Sequence, residues 1–143
     1  MDTTATYDRP TISYATASRL VAAGVRAAGD SGVRASIVVT DMTGEPVATA
    51  RTDGAGMLSM TVAAHKAWTA AMTGQSTEDV HAFVAADPGA VLSMPAVPRF
   101  TLVPGGFPFV SGGRPVGAIG VSGGSSAQDS AIARDALAEV GEL

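Results

Sequence analysis

The chain has 143 residues, which suits one domain with a single core and leaves no room for two of ordinary size. Hydrophobic residues make up 46% and charged residues 15%. That balance excludes a disordered body, which needs low hydrophobicity and high charge. A formal net charge of −4 opposes an electrostatic grip on nucleic acid, and the lack of cysteine removes disulfides, thiol nucleophiles and thiolate metal centres.

Residues 1–11 read as a flexible polar tail, with residues 12–143 forming a single domain. The opening Met1-Asp2-Thr3-Thr4 has neither the basic nor the apolar region of a signal peptide, and no run of 18 apolar residues follows. No membrane partner and a cytoplasmic location are therefore expected. Ser13 is a candidate N-cap. Ala17, Leu20, Val21, Val25 and Ala28 behind it fall at helical spacing, and Gly29 and Gly32 end the segment. The β-branched run Ala35 to Thr40 predicts a strand. Asp41 to Pro46 is turn chemistry, and Val47 to Thr52 returns as the second arm of a hairpin.

After Asp53-Gly54-Ala55-Gly56, a stripe of Leu58, Thr61, Val62, His65, Trp68, Thr69 and Met72 predicts a helix, with Gly74 as its cap. Ser76 opens another, with Asp79 three positions on, and Pro88 ends it. Residues 88–98 carry three prolines and are expected to be irregular, with at most one helical turn. Phe100 to Val103 reads as a strand, interrupted by Pro104-Gly105-Gly106. Phe107 to Val110 and Val116 to Val121 read as a second hairpin, with Pro108 suited to an edge or bulge. A final helix follows Ser122-Gly123-Gly124-Ser125, with Ser126 as its N-cap. The order α-β-β-α-α-β-β-β-α, with strands joined by tight turns, argues for an α+β fold: an antiparallel sheet of about five strands with flanking helices. Seventeen glycines and only 5% aromatics leave a modest core. A homo-oligomer that buries further surface between subunits is therefore expected.

His65 and Lys66 are the leading candidates for chemistry. The imidazole is the side chain that titrates near neutrality, so His65 could ligate a metal or haem iron or act as a base; otherwise it is a core histidine. Lys66 stands among Ala63, Ala64, Ala67 and Ala70 with little polar company. It could hold an anionic group or move a proton, or else it is a surface lysine lying along apolar neighbours. His81, beside Glu78, reads as solvated helix surface. The corner Ser122-Gly123-Gly124 leads from strand to helix N-terminus, where free amides and the helix dipole favour an anion; the bland alternative is close packing. It has neither the lysine of a P-loop nor dinucleotide-binding spacing. Arg51, Arg99 and Arg114 could clamp carboxylates.

The motifs together resemble the GlcG/HbpS family. Ile37 to Asp41 with Gly44 and Arg51-Asp53-Gly54 is similar to its first hairpin, and Ala64-His65-Lys66-Ala67-Trp68-Thr69-Ala70 to its Lys-Ala-x-Thr-Ala helix. The most specific part is Pro104-Gly105-Gly106-Phe107-Pro108, then Gly117-Ala118-Ile119-Gly120-Val121-Ser122-Gly123-Gly124, then Gln128-Asp129. The resemblance implies a layered, profilin-like α/β domain, a homo-oligomer from dimer up to octamer, and haem binding or degradation; the same domain ends PduO-type proteins. By position it implies roles for Lys66, Gly105, Gly106, Gly117, Gly120, Gly123 and Gly124. It implies no haem ligand; His65 comes from the reading of the residues. Glu78 is followed by His81, so the ExxE pair of the sensor-like member is missing.

Three functions follow as expectations. The first is binding of haem or a related tetrapyrrole at a cleft or subunit interface, with His65, Lys66, Gly105, Gly106, Ser122, Gly123 and Gly124 around it and His65 on the iron. The second is a cofactor-free isomerase or cyclase acting on a small carbonyl or aromatic metabolite, with Lys66 or His65 moving the proton. The third is an accessory oligomer. The first two require His65, Lys66 and the serine–glycine corner to face one hollow.

Overall fold

Ser13 caps the first helix, α1 (Tyr14–Asp30), by accepting from the Thr16 amide at 3.1 Å. Gly32, in a left-handed conformation, turns the chain into β1 (Ser36–Thr40). The turn that follows is built on the Asp41 carboxylate, which accepts from the Thr43 amide at 2.8 Å. It returns the chain as β2 (Pro46–Arg51), antiparallel to β1. The next helix, α2 (Ser59–Thr73), ends on Gly74 with φ +67°. Two further helices, α3 (Thr77–Ala85) and α4 (Pro88–Ser93), precede a single 3-10 turn over Met94–Ala96. The strands β3 (Gly106–Ser111) and β4 (Arg114–Ser122) form the second hairpin, and α5 (Ser126–Val140) closes the chain. This computed structural model describes residues 4–141.

The four strands form one antiparallel sheet in the order β2-β1-β4-β3. Alternation along β1 and β4 sends successive side chains to opposite faces. Ile37, Val39, Ile119 and Val121 meet Leu20, Ala23, Ile132 and Ala136 of α1 and α5 in the main core. Val38 and Ala118 face the other way and pack on Ala63, Ala67, Ala70 and Ala71 of α2. The result is the α+β fold expected, with helices on both faces of the sheet. Among the described residues no helix is long and apolar enough to cross a membrane.

The sheet has four strands because Phe100 to Val103 does not join it. The Thr101 amide donates instead to the Thr69 hydroxyl at 3.0 Å, so this segment lies along α2 and has no ladder partner. Residues 88–96 are more helical than their prolines suggest. The Asp87 carboxylate accepts from the Gly89 and Ala90 amides, and Pro88 takes the first-turn position where its missing N–H costs nothing. The cap of α5 is Ser125, not Ser126. Its hydroxyl accepts from the Gln128 amide while the Gln128 side chain accepts from the Ser125 amide, a complete capping box. Pro108 does lie on an edge strand, beside the register shift at Phe109/Val110. Ile12, at the domain's first position, is buried, and its amide donates to the Val116 carbonyl at 2.7 Å.

Candidate functional site

The face of α2 that meets the sheet is not the large apolar stripe. It is the alanine face with Lys66 at its margin. A Cβ on Gly120 would overlap the Ala63 carbonyl oxygen and lie 2.7 Å from the Ala67 amide, so helix and strand touch backbone to backbone. Only alanines fit between them, and the larger side chains of α2 are turned away. Leu58 and Met72 are exposed, while His65 and Trp68 are half-buried.

Lys66 is 1% exposed. Its Nζ donates to the Val121 carbonyl at 2.8 Å and to Asp129 Oδ2 at 3.0 Å. Asp129 is itself buried, and its Oδ1 accepts from the Gly124 amide at 2.8 Å. Three elements are thereby clasped: α2 through Lys66, the end of β4 through Val121, and the first turn of α5 through Asp129. Burial pulls the Lys66 pKa below its ordinary value, against the Asp129 carboxylate, whose hydrogen bond and charge push it up.

The glycines close round this clasp. A Cβ on Gly105 would lie 2.9 Å from Lys66 Nζ and 2.8 Å from the Val121 carbonyl oxygen; one on Gly106 would overlap the Lys66 carbonyl. The Gly106 amide donates to the Thr77 hydroxyl at 3.1 Å, which ties α3 to the same point. Gly123 passes so close to the backbone of Arg34 and Ala35 that any side chain would clash. The structure therefore brings Lys66, Gly105, Gly106 and Gly124 together, but in solid packing. Neither reading of an isolated lysine, anion holder or surface residue, describes a buried ion pair. The sequence signal for Asp129 is an acidic residue at the N-terminus of a helix, just past a glycine corner.

His65 lies elsewhere. Adjacent helical positions point about 100° apart, and His65 occupies the side of α2 away from the sheet. It makes no hydrogen bond or ion pair with the described residues, so its ring nitrogens are uncommitted, and it is not a core histidine. It shares that outward face with Leu58, Thr61 and Met72. Arg99, at φ +68°, runs beside Thr69 and sends its guanidinium to Glu45 at 2.7 Å. Trp68 covers Gly44, where a Cβ would lie 2.5 Å from its Cδ1. The hollow at the serine–glycine corner is lined by Gly123 and Gly124 with Gly32, Arg34, Gly54 and Gln128, and neither His65 nor Lys66 reaches it. The single hollow expected for all three is thus not formed. Ser122 ends β4 half-buried opposite Ser36, and His81 is exposed as expected.

Among the described residues no three histidine or acidic side chains gather as a bare metal ion would require. A lone, free imidazole on an apolar surface is a different donor set. It suits an iron that brings its own four nitrogens on a flat apolar ring. On that chemistry the outward face of α2 fits a haem better than a free ion.

Residues 12–138 match the family model described as haem degrading protein HbpS-like. An uncharacterised 15.0 kDa protein of the dhaT-dhaS intergenic region of Citrobacter freundii is 32% identical over 136 residues, covering 93% of this chain and 94% of its own length. A double mutant of HbpS from Streptomyces reticuli superposes with a TM-score of 0.87 at 30% identity, over 96% of this chain and 92% of that one. A haem complex of PduOC gives a TM-score of 0.79 at 30% identity, over 90% and 94% of the two chains.

Proposed function

The chain belongs to the HbpS-like family, and from that premise we propose that it binds haem or a related tetrapyrrole on the outward face of α2, where His65 would hold the iron. One observation carries the reading: a half-buried imidazole without a hydrogen-bond partner on the outward face of α2, with exposed Leu58 and Met72 two turns to either side. The PduOC relative in complex with haem supports the ligand class. Haem, when bound, supplies an iron centre whose reactivity depends on its axial donor and on the polarity around it. The chain's own part is to give that donor from His65, to cover the ring with Leu58 and Met72, and to hold the helix still through the Lys66 clasp. The same exposed face would be sealed by a second subunit, so we place the site at a subunit interface of a homo-oligomer, in a cytoplasmic protein.

The cofactor-free reading draws less support. Lys66, its named proton carrier, already gives its donors to Val121 and Asp129 at 1% exposure, so a substrate reaches it only if the clasp opens. Gly105 and Gly106 act here as close-packing positions behind Lys66.

Titration of the purified protein with haemin tests the proposal. The expected result is a saturable Soret shift that His65→Ala abolishes while unfolding stability changes by no more than about 0.5 kcal/mol. A His65→Ala protein with the same Soret spectrum as the parent would refute the ligand assignment. A free-haemin spectrum in the parent protein would refute the proposal itself.

A further inference from the structure

A hollow of about 420 Å³ lies at the C-terminal end of α2 and plays no part in the clasp. Its lining joins the N-terminal segment, carrying Tyr7 and Arg9, to the start of β4, carrying Arg114. Met42 and Met72 add apolar side chains to that lining. The chain is tied to the sheet just after this segment, at Thr11 and Ile12. The Thr11 hydroxyl accepts from the Met42 amide at 3.1 Å, and the Ile12 amide donates to the Val116 carbonyl at 2.7 Å.

Its charge is unbalanced. Arg26, Arg99 and Arg134 each pair with a glutamate, whereas the guanidinium groups of Arg9 and Arg114, like those of Arg19, Arg34 and Arg51, have no ion-pair or hydrogen-bond partner among the described residues. Asp8 also lines the hollow, so the walls sum to one net positive charge. Two arginines and two methionines brought to one hollow by separate segments match a particular kind of molecule. Guanidinium forks recognise planar carboxylates by paired hydrogen bonds, and methionine thioethers pack well on flat, polarisable rings.

We propose that this hollow binds a carboxylate carried on a flat apolar body, with the carboxylate between Arg9 and Arg114 and the body on Met42 and Met72. The site adjoins the His65 face at Met72 and holds no part of the Lys66 clasp. Two sources share its chemistry: a free aromatic acid, or the propionate edge of a tetrapyrrole that extends past Met72.

The test uses the full chain with labelled methionine methyl groups, which report Met42 and Met72 separately from Met57, Met60 and Met94. Benzoate is the probe, and benzamide is its uncharged counterpart of the same shape. Benzoate is expected to shift the Met42 and Met72 signals saturably while leaving Met57 and Met94 in place. Benzamide should bind about tenfold more weakly, as should benzoate to Arg114→Ala or Arg9→Ala, since each removes one charge-assisted contact. Asp8→Asn should bind benzoate more tightly. A second arm adds haemin to Arg114→Ala: weakened haemin binding, with benzoate silent in the parent protein, assigns the carboxylate to the tetrapyrrole. Equal responses to benzoate and benzamide, or still methionine signals with unaltered haemin affinity in Arg114→Ala, would overturn the proposal.

Discussion

Lys66 shows how far one side chain can be read before its partners are known. Its alanine neighbours mark it as odd in the sequence, but the residue that explains it lies 63 positions further on. No local rule links them; the pairing exists only because α2 and α5 flank the same end of β4. Removing the ammonium leaves the Asp129 carboxylate buried with a single amide donor, Gly124, so Lys66→Met is expected to destabilise by about 3–5 kcal/mol. Urea unfolding of parent and variant measures it, and a loss below about 1 kcal/mol would mean that the ion pair barely offsets its own desolvation. The alkaline limb gives a second readout. Burial lowers the Lys66 pKa in the folded protein relative to the ordinary 10.5. Between the lowered value and 10.5 the unfolded chain binds more protons, so stability rises with pH across that window, by at most about 1.4 kcal/mol per pH unit. Lys66→Met should lack this rise. A parent protein that weakens over the same window relative to the variant would show that Asp129 outweighs burial.

Among elements, α2 is where periodicity identifies a helix correctly and its buried face wrongly. The stripe from Leu58 to Met72 is the more hydrophobic by side-chain size, yet the sheet takes Ala63, Ala67 and Ala70. The reason lies in the strand, since Gly120 and Ala118 leave no room for longer side chains. Both halves of that fit are in the sequence, but only the register between helix and strand joins them. The first hairpin, α1 and the β3–β4 hairpin were legible because turn residues and β-branched runs act locally. Residues 100–103 were not, because a hydroxyl from α2 replaces their ladder. Gly120→Ala should push α2 off the sheet and cost about 1–3 kcal/mol or more by overpacking. Gly29→Ala is its control, since a Cβ there meets nothing within 4 Å. That change should be neutral or stabilise by up to about 1 kcal/mol. Matching melting temperatures for the two variants would mean that the backbone contact between α2 and β4 is loose.

For the whole molecule the issue is apolar surface that one copy of the chain leaves exposed. Met57 is 87% exposed, Leu58 71%, Phe83 72% and Leu92 84%, on a chain whose core is built largely from alanine, valine and isoleucine. Hiding such side chains is worth roughly 1.5–3 kcal/mol each, and Leu58 shares the outward face of α2 with His65. Self-association through this face would complete an apolar enclosure that one copy leaves open, which couples assembly to the proposed ligand. The expected outcome is a parent protein that sediments as an oligomer of the 14.2 kDa chain, and a Leu58→Glu variant that shifts toward the monomer. Leu58→Glu touches neither the clasp nor the main core, so its unfolding free energy should stay within about 0.5 kcal/mol once the concentration dependence of assembly is removed. If interface and ligand face coincide, the same variant loses haemin affinity along with the oligomer. A Leu58→Glu protein that is monomeric but binds haemin as the parent does would separate the two surfaces and confine the ligand to one subunit. A parent protein that is monomeric at micromolar concentration would leave the stripe as a ligand face alone.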